Sequence, residues 1–279
     1  MKQIIECVPN ISEGRDDEKI KIISQIVEDI DGVKLLNVDP GKATNRTVIT
    51  FVGEPSQVIE AAFKLIKLAS KLIDMSKHKG EHPRFGATDV CPLVPISGIS
   101  LEETSKYAQQ LGKRVGEELN IPVYLYENAA QKPDRVNLAN CRSGEYEGLS
   151  KKLSDTNWIP DFGPTVFNNH VALTGATAIS ARDFLVAYNI NLNTTSTRRA
   201  NAIAFDIREA GRVKRKGNPI IGQKILDAQG NPARIPGKLK AVKGIGWFIE
   251  EYGIAQISYN LTNISVTSMH EAFYETSKT

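Results

Sequence analysis

The hydrophobic period of this chain switches repeatedly between about 3.6 and 2 residues, and the order of the switches restricts the fold more than any other feature. Residues 3–9 are short and apolar, as expected of a buried strand. Residues 16–30 read as a helix with Ile23, Ile26, Val27 and Ile30 on one face, stopped by Gly32. Strands are expected at 33–38 and 46–53, joined through DPGKATN as a hairpin. A second helix over 55–75 places Ile59, Ala62, Phe63, Ile66 and Ile73 together, and a strand over 87–96 follows. The order βαββαβ is the split-βαβ, or ferredoxin-like, pattern. Ser100 and Glu103 then form a capping box for a helix over 101–119, with a strand at 121–126.

After a weakly periodic connector over 127–165, the order begins again. Phe184, Val186, Tyr188, Ile190 and Leu192 alternate as a strand; Ala200, Ile203, Ala204 and Ile207 mark a helix. Strands at 239–250 and 254–262 meet at Tyr252-Gly253, and Ser268 with Glu271 caps a last helix. The fold class expected is α+β, two ferredoxin-like subdomains with a cleft between them, divided as 1–178 and 179–279. The second copy lacks a closing strand, so a C-terminally truncated form with an open sheet edge is expected.

Topology gives this order a functional consequence. In a split βαβ unit three connections share one sheet edge: first strand to first helix, the hairpin, and second helix to fourth strand. These are NISEGR, DPGKATNR and HKGEHPRFG, the three polar, glycine-bearing motifs of the first half. Turns are polar and glycine-rich in any protein, but three such motifs on one edge read as a site.

HKGEHPRFG holds two of the four histidines of the chain. Pro83 biases His82 toward extended backbone, and a carboxylate such as Asp39 or Glu81 could orient its ring for proton transfer. His78 is expected at a helix end, where a protonated imidazole suits the dipole. The two are spaced as a helical metal pair, yet Gly80 and Pro83 oppose helix and no third ligand is evident, so no metal is expected. Arg46 and Arg84 are candidate anion clamps, with surface ion pairing as the alternative. Gly14, Arg15 and Asp16 begin a helix that could offer N–H groups to an anion, although Asp16 and Asp17 could fill that role; Thr44 and Asn45 read as turn formers. The stretch 211–240 carries eight Lys or Arg against Asp227, and is expected as a long exposed loop, solvated or attracting a polyanion.

A net charge of +3 demands neither a nucleic-acid nor a membrane partner. No apolar run reaches the ~18 residues of a membrane span, and no signal peptide is visible. Three widely spaced cysteines, Cys7, Cys91 and Cys141, suit a reduced, cytoplasmic protein rather than a disulfide framework.

Taken together, ECVPNISEGRD (6–16), TNRTVITFVGEP (44–55), LIDMSKHKGEHPRFGATDVCPLVPI (72–96), PVYLYENAA (122–130), PDFGP (160–164), NINL (189–192) and KAVKGIGWFIEE (240–251) resemble the glutamate formimidoyltransferase (formiminotransferase) family, almost end to end. The resemblance implies two α/β subdomains and transfer of a formimino group between N-formimino-L-glutamate and tetrahydrofolate, a co-substrate, in histidine breakdown. It places the catalytic histidine at His82 and starts the folate segment at Gly163 and Pro164, continuing through Thr165, Val166, Phe167, Asn168, Asn169, His170, Val171 and Ala172. Asp39 would orient His82, and Arg46, Arg84 and Asn10 would bind the glutamate substrate. No fused cyclodeaminase domain is visible, and a homodimer through the open edge is an option. A formyl donor on the same scaffold is the nearest alternative. A nucleic-acid-binding ferredoxin-like module is the alternative of another class; the strand RTVITFV, with Phe51 its sole aromatic, lacks the aromatics such a module needs.

Overall fold

The structure is a computed structural model describing residues 2–80, 83–218 and 221–279. It divides into two compact units, 1–182 and 183–279. The expected boundary at 178/179 falls inside a strand of the first unit, so the division lies after that strand.

In the first unit the strands are β1 (Ile4–Cys7), β2 (Asn10–Ile11), β3 (Val33–Gly41), β4 (Arg46–Gly53), β5 (Thr88–Ser97), β6 (Val123–Glu127) and β7 (Thr177–Ala181). Its helices are α1 (Asp17–Glu28), α2 (Pro55–Leu72), α3 (Leu101–Leu119), α4 (Leu138–Cys141), α5 (Leu149–Leu153) and α6 (Asn169–Thr174). The strand expected over 3–9 forms as β1, and a second short strand, β2, follows it in the stretch expected as a connection; both are antiparallel to β4 and to β5. β3 pairs antiparallel with β4 on the far side. The order β3, β4, β1/β2, β5 is the split-βαβ arrangement. β7, which sequence periodicity missed, inserts between β5 and β6 and runs parallel to both. Its sequence, TAISA, is too short and too small-sided to announce a strand.

Helix termini follow local chemistry. Asp16 caps α1 by accepting from Lys19 N, and Pro55 opens α2 at its first turn, where a missing N–H costs nothing. The Ser100–Glu103 capping box of α3 is formed in both directions. α2 stops at Leu72, short of 75, because Ile73 turns extended; Ile73 and Met75 then bury themselves from outside the helix.

The helices α1 to α3 cover one sheet face through Ile5, Cys7, Ile11, Ile49, Phe51, Leu93, Leu125 and Ile179. The connector builds a second core on the opposite face: Leu138, Cys141, Leu149 and Leu153 join Val90, Tyr124, Tyr126 and Ala178. Buried polar groups organise it. Arg135 pairs with Asp161 at 2.5 Å, and Lys152 Nζ donates to the carbonyls of Asn140, Cys141 and Ser143. The connector is therefore a structural layer. Its signal was weak because its helices have only four and five residues, too short to show a period.

Among the described residues the second unit holds β8 (Val186–Asn191), α7 (Thr197–Ile207), the two-residue strands β9 (Arg212–Val213), β10 (Arg215–Lys216), β11 (Gln223–Lys224) and β12 (Arg234–Ile235), then β13 (Val242–Ile249), β14 (Ile254–Leu261) and α8 (Met269–Ser277). The sheet order β13, β14, β8 is antiparallel throughout, and among the described residues β8 is an edge. α7 sits tightly on β13, since a Cβ on Gly246 would lie 2.3 Å from Asn201 N; the Asn201 side chain bonds both the N–H and the carbonyl of Gly246. The basic stretch is not a structureless loop. β9 pairs β12 and β10 pairs β11, making a ribbon.

Candidate active site

The three loops predicted to share an edge are joined through one residue. Asn45 Oδ1 accepts from Gly14 N at 3.0 Å, and its Nδ2 donates to Lys79 O at 2.8 Å. Its backbone carbonyl meets His78 Nε2 at 2.9 Å. Asn45 is buried in the left-handed region (φ 48°), which asparagine tolerates better than most residues. Glycine permits the close approach: a Cβ on Gly14 would lie 2.4 Å from Gly41 O, and one on Gly80 2.3 Å from Thr44 O. Arg15 Nε further ties the first loop to Lys42 O at 2.9 Å. Thus Asn45, read from sequence as a turn former, is the clasp of the assembly.

His82 and Glu81 lie outside the described residues. The chain on either side of them is anchored: Gly80 packs against Thr44 O, and Pro83 O accepts from Arg142 Nη2. His78 is not at a helix end. It is buried five residues beyond Ile73, in the turn after Met75, with Nδ1 lacking a partner among the described residues. Burial lowers its pKa, so the ring is neutral near pH 7. If Nε2 carries the proton to the Asn45 carbonyl, Nδ1 is a free acceptor.

The outer sheet face gathers the polar groups. Asp39 on β3, Val48 on β4, Asn10 on β2 and Val90 on β5 are register partners in one row, so Asp39 and Asn10 share a face about 10 Å apart. Asp39 is exposed. Arg46 donates from Nε to Asn10 Oδ1 at 2.9 Å and from Nη1 to Asp89 Oδ2. Asp89, 1% exposed, also receives Arg142 Nη2 at 3.0 Å. Strict alternation from Cys91 and Leu93 would turn Asp89 toward the helices. A β-bulge intervenes: Asn10 pairs Val90 while Ile11 pairs Thr88, leaving Asp89 as the extra residue, re-aimed to the outer face. Burial lowers the Arg46 pKa, opposed by Asp89 and reinforced by the Arg142 charge. Glu6, also on this face, has its carboxyl pKa raised by burial against the lowering charge of Arg182.

Arg84 pairs with Glu147 at 2.6 Å and lies over the Tyr146 ring. Tyr146 links this loop to the segment 163–172: its N–H donates to Arg84 O, its hydroxyl to Ala172 O at 2.6 Å, and its ring meets Phe167 at 6.3 Å. Within that segment Gly163 (φ 87°) approaches Ile121 O too closely for any Cβ, and Asn168 caps α6. Val171 is buried, and His170 Nε2 meets Leu119 O at 2.8 Å. Pro164 is half-buried, while Thr165, Val166 and Asn169 are exposed. The segment therefore lies beside the PRFG loop, with some members holding structure and others facing outward.

Sequence reasoning missed Asp89, Arg142, Tyr146 and Glu6. The signal available for Arg142 and Tyr146 was CRSGEYEG, a polar run read as turns. Among the described residues no group of three or more His, Cys, Asp or Glu converges as a metal site, and no helix is long and apolar enough to cross a membrane.

Comparison with known proteins agrees with this division of the chain. The formiminotransferase domain, N-terminal subdomain, matches residues 4–182, and the formiminotransferase domain matches 187–279. The chain is 49% identical over 275 residues to the mouse formimidoyltransferase-cyclodeaminase, covering 99% of this chain and 47% of that protein. It is 43% identical over 272 residues to the glutamate formimidoyltransferase of Thermoplasma acidophilum, covering 97% and 80%. It is 40% identical over 273 residues to the glutamate formimidoyltransferase of Streptococcus pyogenes serotype M1, covering 98% and 82%. The chain thus spans about half the length of the bifunctional relatives and most of the single-function ones. With both family domains matched in order across nearly all its residues, the chain belongs to the formiminotransferase family.

Proposed function

We propose that this chain transfers a formimino group between N-formimino-L-glutamate and tetrahydrofolate, giving 5-formimidoyltetrahydrofolate and L-glutamate, in histidine degradation. The observation carrying the reading is the Asn45-centred junction of three loops in a chain of this family. Transfer between two amines passes through a tetrahedral carbon bonded to both nitrogens. The attacking nitrogen loses a proton and the leaving nitrogen gains one; His82 performs both in turn as general base and acid, with Asp39 orienting it. An amidinium carbon is already electrophilic, so the step calls for neither a metal nor a covalent enzyme intermediate.

Arg46, Arg84 and Asn10 bind the glutamate part. Arg46 is already bonded to Asp89 and Asn10, so its role is to hold Asn10 and the outer face in place as much as to meet a carboxylate directly. Arg84, with Nε buried and without an acceptor among the described residues, keeps donor capacity for a substrate carboxylate. The residues from Gly163 to Ala172 contact the folate through their outward members, including Val166 and Asn169. Cytoplasmic placement suits both water-soluble substrates.

Purified chain supplied with tetrahydrofolate should consume N-formimino-glutamate in preference to N-formyl-glutamate, read as glutamate release. His82→Asn should lower turnover by roughly 10²–10⁴-fold with the fold unchanged. Preference for the formyl donor would replace the substrate assignment, and near-normal turnover of His82→Asn would remove the catalytic one.

A further inference from the structure

The second unit contains a cavity of about 340 Å³ between α7 and the ribbon, and its lining includes five arginines. They are Arg198 and Arg208 from the α7 region, and Arg212, Arg215 and Arg234 from the ribbon. We propose that this cavity is a binding site for linked phosphate groups, a diphosphate or triphosphate, distinct from the transfer site of the first unit.

Among the described residues no acid lines the cavity; the nearby carboxylate of Asp206 is paired with Arg212 Nη2. Gathering several guanidiniums around one space costs electrostatic free energy, which a multivalent anion would offset. Burial and the charge of Arg234 both lower the Arg208 pKa.

Four of these arginines are held in place by hydrogen bonds. Arg208 donates to Gly211 O and Gly244 O and stacks on Phe205 at 4.1 Å. Arg212, Arg215 and Arg234 donate to the carbonyls of Ala202, Gly222 and Ala210. Each guanidinium has five N–H groups, so these bonds leave most donors available. Arg212 Nε is buried with no acceptor among the described residues, a group that a ligand oxygen would satisfy.

Phosphate suits this arrangement better than carboxylate. Guanidinium pairs bidentately with both. Linked phosphates, however, concentrate several charges in a short length, matching several arginines around one compact cavity. Carboxylates spaced along a peptide would reach fewer of them at once. The apolar remainder of the wall, Phe205 with Ala202 and Val213, leaves room for a base beside the phosphates.

Calorimetric titration of the intact chain tests the site, with tripolyphosphate, ATP and tri-γ-glutamate as probes. Tripolyphosphate should bind, more weakly as salt rises. The double variant Arg198→Gln/Arg234→Gln should weaken it by about 10- to 100-fold. Both side chains are exposed, and Arg198→Gln alone, weakened in the same direction, guards against any change at the ribbon. Tighter binding of ATP than of tripolyphosphate supports a nucleotide as the source; equal binding supports free polyphosphate. Absence of tripolyphosphate binding at millimolar concentration, unchanged affinity in the variants, or equally tight tri-γ-glutamate would overturn the proposal.

Discussion

Asp89→Ala is the perturbation that tests the outer-face site most directly. Asp89 is 1% exposed, and the two guanidiniums that it receives, Arg46 and Arg142, have side chains 15% and 16% exposed. Removing the carboxylate leaves two cations close together with little water to separate them. Breaking a buried ion pair from one side costs about 3–5 kcal/mol, because the remaining charge is uncompensated. That is a large part of the ~5–15 kcal/mol that holds a domain folded. Arg142→Ala should cost less, about 1–3 kcal/mol, since Arg46 still neutralises Asp89. Urea unfolding can measure both in a Trp247→Phe background, so that Trp158 alone reports the first unit. Arg142 also anchors Pro83 O, next to His82. Arg142→Ala should therefore lower kcat by about 10- to 100-fold through misplacement of the loop, out of proportion to its stability cost. An Asp89→Ala penalty under about 1 kcal/mol, or one equal to that of Arg142→Ala, would refute the idea that Asp89 is the hub of this cluster.

Asn45→Ala removes both side-chain bonds of the loop clasp and should cost about 2–4 kcal/mol with a matching loss of turnover; unchanged activity would separate the clasp from the chemistry. Gly80→Ala would set a Cβ 2.3 Å from Thr44 O, so it should lower kcat by at least about 10-fold, and wild-type kinetics would show that the loops tolerate separation. The lowered pKa of His78 predicts a pH effect. The unfolded chain takes up this proton first, so its contribution to stability is full above 6.5 and is lost as pH falls toward the folded-state value. His78→Gln, whose amide could still donate to the Asn45 carbonyl, should flatten the stability profile below pH 6.5; an unchanged slope would refute the assignment.

Much of the scaffold was legible because it rests on local chemistry. The capping box at Ser100 and Glu103, Pro55 at the head of α2, and the glycine-bearing hairpin each act within a few residues. The order of elements then predicted, through connectivity alone, that NISEGR, DPGKATNR and HKGEHPRFG meet, and Asn45 joins all three. What was illegible depends on partners distant along the chain. β7 is a strand because β5 and β6 flank it, not because TAISA favours one. The ribbon at 212–235 has strands of two residues, below any periodic signal.

By itself the amino-acid sequence determined the alternation of strands and helices, their caps, and the edge on which the three loops converge, since these follow from periodicity, terminal hydrogen bonding and chain connectivity. Tertiary structure alone decided which charges meet. Asp89 reaches the outer face through a one-residue bulge set by the pairing of Asn10 and Ile11. Arg46 and Arg142 meet it from 43 residues before and 53 after along the chain. The physical reason is that a buried charge takes its energy from the partners that surround it, and that surrounding exists only once the sheet and its connector have packed.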